Sequence, residues 1–164
     1  MKKPVILFWI IALAAMDQGI KIWALQQLAP VHQIPVIAGF FNLTYVENRG
    51  AAFGILQGRT TLLIAIVSLV LLVVIAYLLV GKPQGLSLEI SLLLIVAGGA
   101  GNLIDRAYRG FVVDYLDFSS LFGFPVFNFA DCCVVIGTFL MVLVMFYQDY
   151  IAAKAVKNAG EDSK

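Results

Sequence analysis

At 164 residues the chain has the length of a single domain, yet it is 62% hydrophobic, only 13% charged, and has a mean hydropathy of +0.96. That composition belongs to a protein whose solvent is lipid. A net charge of +1 excludes nucleic acid as a partner, because phosphate binding needs clustered Lys and Arg that this chain lacks.

Pro4 to Leu28 is apolar apart from Asp17, Gln18, Lys21, Gln26 and Gln27, and predicts a first span over residues 4–28. At about 1.5 Å per residue it would extend about 37 Å. Lys2 and Lys3 before an apolar run resemble a signal peptide, but no small-residue cleavage site follows, so the segment is expected to stay as a span. Asp17 and Lys21 are four residues apart, one turn from each other on one helix face, and can pair. Such a pair either neutralises two charges in lipid or tethers a polar site at the outer end of the helix.

Residues 29–59 change character. Pro30, Pro35, Gly39, Gly50, Gly54 and Gly58 punctuate β-branched and aromatic runs, which predicts strands in this outer loop. Open sheet edges are not tolerated against lipid tails, so the sheet belongs at or above the membrane surface. The apolar stretch Gly50 to Leu56 predicts a short interfacial helix, with Asn48 and Arg49 at its N-terminus.

Residues 60–80 carry no charge and predict the second span. Gly81 to Ser87 reads as a turn in which Ser87 caps a third span over residues 88–106. Gly98, Gly99 and Gly101 let either a neighbouring helix or a substrate approach that span's backbone, and both readings are open. After an outer loop, residues 107–130, a fourth span covers residues 131–150 and leaves a charged, frayed tail from Lys154. Cys132 and Cys133 are adjacent, so their side chains point about 100° apart and are expected to pack rather than share a metal. His32 stands alone as a surface residue, and neither a metal nor a cofactor is predicted.

The whole reads as one integral membrane domain, 1–164. With four spans, one side holds Lys2, Lys3, Lys82, Lys154, Lys157 and Lys164 and the other Arg49, Arg59, Arg106 and Arg109, six against four. That bias predicts cytoplasmic termini and outward-facing loops.

On this topology Asp17, Lys21, Asn48, Asn102, Asp105, Arg106, Asp114, Asn128 and Asp131 converge at one membrane face. Asn102, Asp105 and Arg106 share a helix face and suit a hydrogen-bonding shell, with an interfacial anchor as the alternative for Asp105 and Arg106. Asp114 and Asp131 have no obvious partner. Two carboxyls in a poorly hydrated site raise one pKa and hold one proton between them, which is the requirement of aspartic-protease chemistry. An N-cap and a loop charge would account for the same two residues, and Asp117 reads as a solvated loop charge. No Ser/His/Asp triad, phosphate loop or zinc motif competes. The alternative is a small proton or ion transporter, since intramembrane carboxylates also serve translocation.

The motifs MDQGIK, ENRGAAFG, GGAGNLIDR, FVVDYLDF and FPVFNFAD, in this order, resemble the bacterial lipoprotein signal peptidases (signal peptidase II) over nearly the whole chain. The resemblance implies a membrane aspartyl endopeptidase that cuts diacylglyceryl-modified prolipoproteins on the N-terminal side of the lipidated cysteine. It implies Asp114 and Asp131 as the catalytic dyad. Asp17, Lys21, Asn48, Gly50, Asn102, Asp105, Arg106 and Asn128 fall in motifs that shape the site or hold substrate. It further implies four transmembrane helices with an extracytoplasmic β-cradle, a place in the bacterial inner membrane, contact with membrane lipid, and inhibition by globomycin-type compounds. Cys132 and Cys133 stand where the family pattern has small or apolar residues, and no role is assigned to them.

Overall fold

The computed structural model describes residues 1–50, 58–81, 83 and 85–161. Helix α1 covers Lys3–Trp23, with Pro4 in the first turn, where its missing N–H costs nothing. It runs on as a single π-helical turn, Ala24–Leu28, in which Ala29 N–H donates to Ala24 O at 2.8 Å. Strands β1 (Gln33–Ile37) and β2 (Phe41–Asn48) form a hairpin whose turn places Gly39 at φ +71°, a conformation that suits glycine. Helices α2 (Thr60–Val80) and α3 (Leu86–Arg109) follow, and α3 ends at Gly110, which caps it in the left-handed region. Strand β3 (Val112–Asp117), a one-turn helix α4 (Ser119–Phe122) and the long α5 (Phe129–Glu161) complete the chain.

Among the described residues four helices are long and apolar enough to cross a membrane, over Lys3–Leu28, Thr60–Val80, Leu86–Arg109 and Phe129–Lys154. Helix α3 is the centre of the bundle: 44% of its apolar window is buried, against 17–22% in the others. It packs against α1, α2 and α5. The outward faces of α2 and α5 present Leu69, Leu72, Val73, Phe139 and Phe146, all more than 60% exposed, as expected where lipid replaces water. The glycines of α3 are consumed by packing. A Cβ at Gly98 would meet the Ala130 carbonyl, one at Gly99 the side chain of Leu71, and one at Gly101 the Asp17 carboxylate. The substrate-groove reading of these glycines therefore gives way to close helix approach.

The sheet has the order β1-β2-β3, with β2 central and both pairings antiparallel. Its third strand lies in 107–130, which was expected to be loop. Val112 and Val113 are β-branched and fully buried, and Val113 and Tyr115 pack with Ala24 and Leu28 of the π-helical turn. The sheet is thus bolted onto the end of α1.

Other expectations need correcting. Gly85, not Ser87, precedes α3, without a side-chain cap. The helices also extend past the predicted spans, α3 to Arg109 and α5 from Phe129 to Glu161, so the start of the supposed tail is helical. The interfacial helix expected over Gly50 to Leu56 falls, beyond Gly50, outside the described residues.

Candidate active site

The site forms where the sheet meets the ends of α1, α3 and α5. Antiparallel pairing sets Val46 opposite Asp114 and Asn48 opposite Val112, so β2 brings Asn48 beside the acid on β3. Asp114 is 2% exposed, and both its oxygens accept amide N–H groups: Oδ1 from Asn128 Nδ2 at 2.6 Å and Oδ2 from Asn48 Nδ2 at 3.0 Å. Burial, and then the charge of Asp131, push its pKa from 3.8 up to about 7 against the pull of these hydrogen bonds.

Asp131 lies in the first turn of α5 and closes a reciprocal cap with Asn128. The Asp131 N–H donates to Asn128 Oδ1 at 2.9 Å, while the Asn128 N–H donates to Asp131 Oδ2 at 3.2 Å. Asp131 Oδ1 accepts from Asn102 Nδ2 at 2.7 Å. Each acid therefore has both oxygens occupied, and Asn128 binds both acids. The other exposed N–H groups of this helix start are also taken: Phe129 N–H donates to the Tyr115 hydroxyl at 3.2 Å and Ala130 N–H to Asp17 Oδ1 at 3.1 Å.

Behind the dyad lies a buried ionic cluster. Lys21, fully buried, reaches Asp17 at 2.9 Å, Asp105 at 3.3 Å and Asn102 Oδ1 at 2.8 Å. Asp105 Oδ2 accepts the Val113 N–H at 2.9 Å, and its Oδ1 is ion-paired with Arg109. Its burial is complete, so it is not an interfacial anchor. Arg106 points elsewhere, donating to Gly50 O at 2.8 Å and to Asn102 O at 3.3 Å. Asn102, Asp105 and Arg106, taken as one face, thus serve three directions.

A cavity of about 500 Å³ covers the dyad. Asn48, Asn102, Arg106, Asp114 and Asp131 line its polar side; residues 124–127, with Val134, Val135 and Ile136 of α5, make an apolar wall. Val135 and Ile136 are 67% and 53% exposed, so the cavity reaches the lipid-facing side of α5. Cys132 lines it too, while Cys133 is buried against Gly98. Among the described residues no three His, Cys, Asp or Glu side chains are grouped to hold a metal ion.

Asp117 is 4% exposed on β3 and is not the solvated loop charge expected from sequence. Its Oδ2 accepts from the Thr44 hydroxyl at 2.6 Å and its Oδ1 from the Ser119 N–H at 2.9 Å. Burial opposes its ionised form, yet the hydrogen bonds from Ser119 and Thr44 together hold its carboxyl below the ordinary 3.8. Sequence reasoning also missed Gln18, whose amide donates to Gly101 O and Asp105 Oδ1, each at 3.1 Å, and accepts from Arg109 at 2.9 Å. Its signal was a polar residue inside a span. Arg109 was visible as the residue four beyond Asp105.

Comparison with known proteins places this arrangement. A family model described as signal peptidase (SPase) II matches residues 9–147. The lipoprotein signal peptidase of Clostridioides difficile is 47% identical over 140 residues, 85% of this chain and 93% of that protein. The lipoprotein signal peptidase of Clostridium acetobutylicum is 45% identical over 135 residues, 81% and 88% of the two chains. A solved structure described as a bacterial membrane enzyme, determined by the in meso method, superposes with a TM-score of 0.78 at 29% identity, covering 89% of this chain and 90% of that one.

Proposed function

The chain belongs to the signal peptidase II family, and we propose that it removes the signal peptide from diacylglyceryl-modified prolipoproteins, cutting N-terminal to the lipidated cysteine, with Asp114 and Asp131 as its catalytic dyad. The observation that carries the reading is the geometry of the two acids: both line one cavity and both bind Asn128. Counting charges supports a shared proton. Around the site Lys21, Arg106 and Arg109 face Asp17, Asp105, Asp114 and Asp131, so one proton on the dyad makes the group neutral. The raised pKa of Asp114 keeps such a proton available near neutral pH.

In the reaction, the ionised carboxylate takes a proton from water as its oxygen attacks the scissile carbonyl carbon. The protonated partner donates to the carbonyl oxygen, and a proton then passes to the leaving nitrogen as the C–N bond breaks. The pair acts as one titrating unit, so neither acid is assigned the proton at the outset. The asparagines hold the two carboxyls in place, which is preorganisation rather than chemistry. No cofactor enters this scheme.

The apolar wall and its opening past Val135 and Ile136 suit a substrate that arrives sideways from the bilayer with its acyl chains against α5. We place the protein in the bacterial cytoplasmic membrane with both termini inside and the dyad at the outer face, following the Lys and Arg bias. Globomycin-type inhibitors would occupy the same cavity. The transport alternative finds no support: α2 carries no charge, and the buried charged side chains gather where the sheet meets the bundle.

The test is incubation of the purified protein with a diacylated prolipoprotein, followed by gel shift. Wild type cleaves; Asp114→Asn and Asp131→Asn fold but leave the precursor intact. Full activity in either variant overturns the dyad.

A further inference from the structure

Three asparagines surround the dyad, and each donates an amide N–H to a carboxylate while its own oxygen is pinned by a group that only donates. Asn48 Oδ1 accepts from Gly50 N–H at 3.0 Å, Asn128 Oδ1 from Asp131 N–H at 2.9 Å, and Asn102 Oδ1 from Lys21 Nζ at 2.8 Å and, at 3.2 Å, from Asn128 Nδ2. Turning any of these amides over would set NH2 against a donor, so the pin fixes which end faces the acid. Two of the pins are backbone. Asn102 alone is pinned by side chains, and the shorter and charged of its two donors is Lys21.

That side chain does more. Lys21 also pairs with Asp17 at 2.9 Å and Asp105 at 3.3 Å. These two carboxylates accept the backbone N–H groups of Ala130, at 3.1 Å, and Val113, at 2.9 Å. Ala130 and Val113 are the residues immediately before Asp131 and Asp114. One buried ammonium therefore joins the backbone supports of both acids and orients the amide that holds one of them.

We propose that Lys21 is the positioning residue of this site, setting the separation of Asp114 and Asp131 and the orientation of the Asn102 amide without touching substrate. The inference rests on the dyad reading above. Charge balance alone would not require this arrangement, because a buried ion pair is replaceable by apolar groups of similar volume at little cost in stability. What an apolar replacement cannot reproduce is the charged donor at Asn102, whose second donor, Asn128 Nδ2 at 3.2 Å, is itself shared with Asp114 Oδ1.

The variant that isolates this role is Asp17→Asn/Lys21→Met. It leaves Asp105 paired with Arg109 and keeps an acceptor at position 17 for Ala130 N–H, but removes the shorter, charged donor to Asn102 and leaves only Asn128 Nδ2 at 3.2 Å. With folding checked by gel filtration and apparent Tm, kcat on a lipidated precursor is expected to fall at least about tenfold, the scale of one preorganised hydrogen bond, while KM stays within about twofold. A folded variant with wild-type kcat overturns the proposal. Asn102→Ala should cost less in the Asp17→Asn/Lys21→Met background than in wild type, because the two lesions act through one amide; fully multiplicative losses overturn it as well.

A further readout requires no activity. The Asn102 side-chain amide signals, assigned by their loss in Asn102→Asp, are expected as one exchange-protected set in the wild type and as faster-exchanging signals in Asp17→Asn/Lys21→Met, where only Asn128 Nδ2 still donates; equal protection in the two proteins overturns the role of Lys21. A wild type that leaves the precursor uncut therefore sinks the functional reading alone, and these signals still decide the positional one.

Discussion

Titration between about pH 4 and pH 8 singles out Asp114. Its carboxyl is 2% exposed and is pushed from 3.8 up to about 7, first by burial and then by the charge of Asp131. A carboxyl whose folded pKa lies above its unfolded one binds its proton more tightly in the folded protein. Its contribution to stability is complete below the unfolded value and is lost as pH rises through the folded one. Roughly three pKa units at about 1.36 kcal/mol each set an upper bound of about 4 kcal/mol, and relaxation around the charge lowers the expected loss to about 2–4 kcal/mol. Asp117 has the opposite sign: its stabilisation is present above its ordinary value and is lost only as pH falls below it, outside this window. The assay is chemical unfolding in detergent at intervals across the window, wild type against Asp114→Asn. Acids remote from Asp114 are common to both proteins and cancel in the difference. The variant should gain on wild type by about 2–4 kcal/mol from the acid to the alkaline end. The same proton should give cleavage an alkaline limb near pH 7. Parallel unfolding curves for the two proteins would refute the reasoning.

The glycines of α3 should divide sharply on substitution. A Cβ at Gly98 meets the Ala130 carbonyl and so displaces the start of α5, at a cost of about 1–3 kcal/mol for overpacking and with loss of cleavage. Gly99→Ala meets only the flexible tip of Leu71, and with about 1 kcal/mol of helix propensity in its favour it should be neutral or slightly stabilising; apparent Tm and precursor cleavage check both. Asp117→Ala removes the hydrogen bonds from Thr44 and Ser119 and should cost about 2–3 kcal/mol in unfolding assays. Its effect on cleavage should fall on KM, because the chain after Ser119 leads into the cavity wall at 124–127; a fall in kcat alone would contradict this.

Features governed by local periodicity were readable. Four apolar runs became four helices, and the i, i+4 pair Asp17 and Lys21 formed at 2.9 Å, because helix geometry alone fixes both. Strand β3 was hidden for a physical reason. Five of the six residues in VVDYLD are buried on both faces, so no alternation of apolar and polar residues marks them, and two acids in six residues read as loop. The strand exists because β2 offers a ladder and the π-helical turn of α1 offers an apolar surface, neither of which is local to it. Asp117 was misread with it: a charge that looks solvated in a loop becomes a buried acceptor once the loop is a strand.

The site shows the same division at longer range. The cost of a carboxylate near lipid marked these acids as candidates, but which groups would hold them did not follow, since Asp17 meets Ala130 across 113 positions of sequence and Asn48 meets Asp114 across 66. Two devices close those distances. The register of β2 on β3 sets Asn48 against Asp114, and Gly101 leaves the room that the Asp17 carboxylate fills, so α1 can reach the start of α5 past α3. A glycine in a span thus acts at the dyad although it carries no chemistry. Gly101→Ala should therefore force the Asp17 carboxylate aside, free the Ala130 N–H and move Asp131, so that cleavage falls further than stability does. Wild-type cleavage by a stably folded Gly101→Ala protein would break the chain of contacts at its first link.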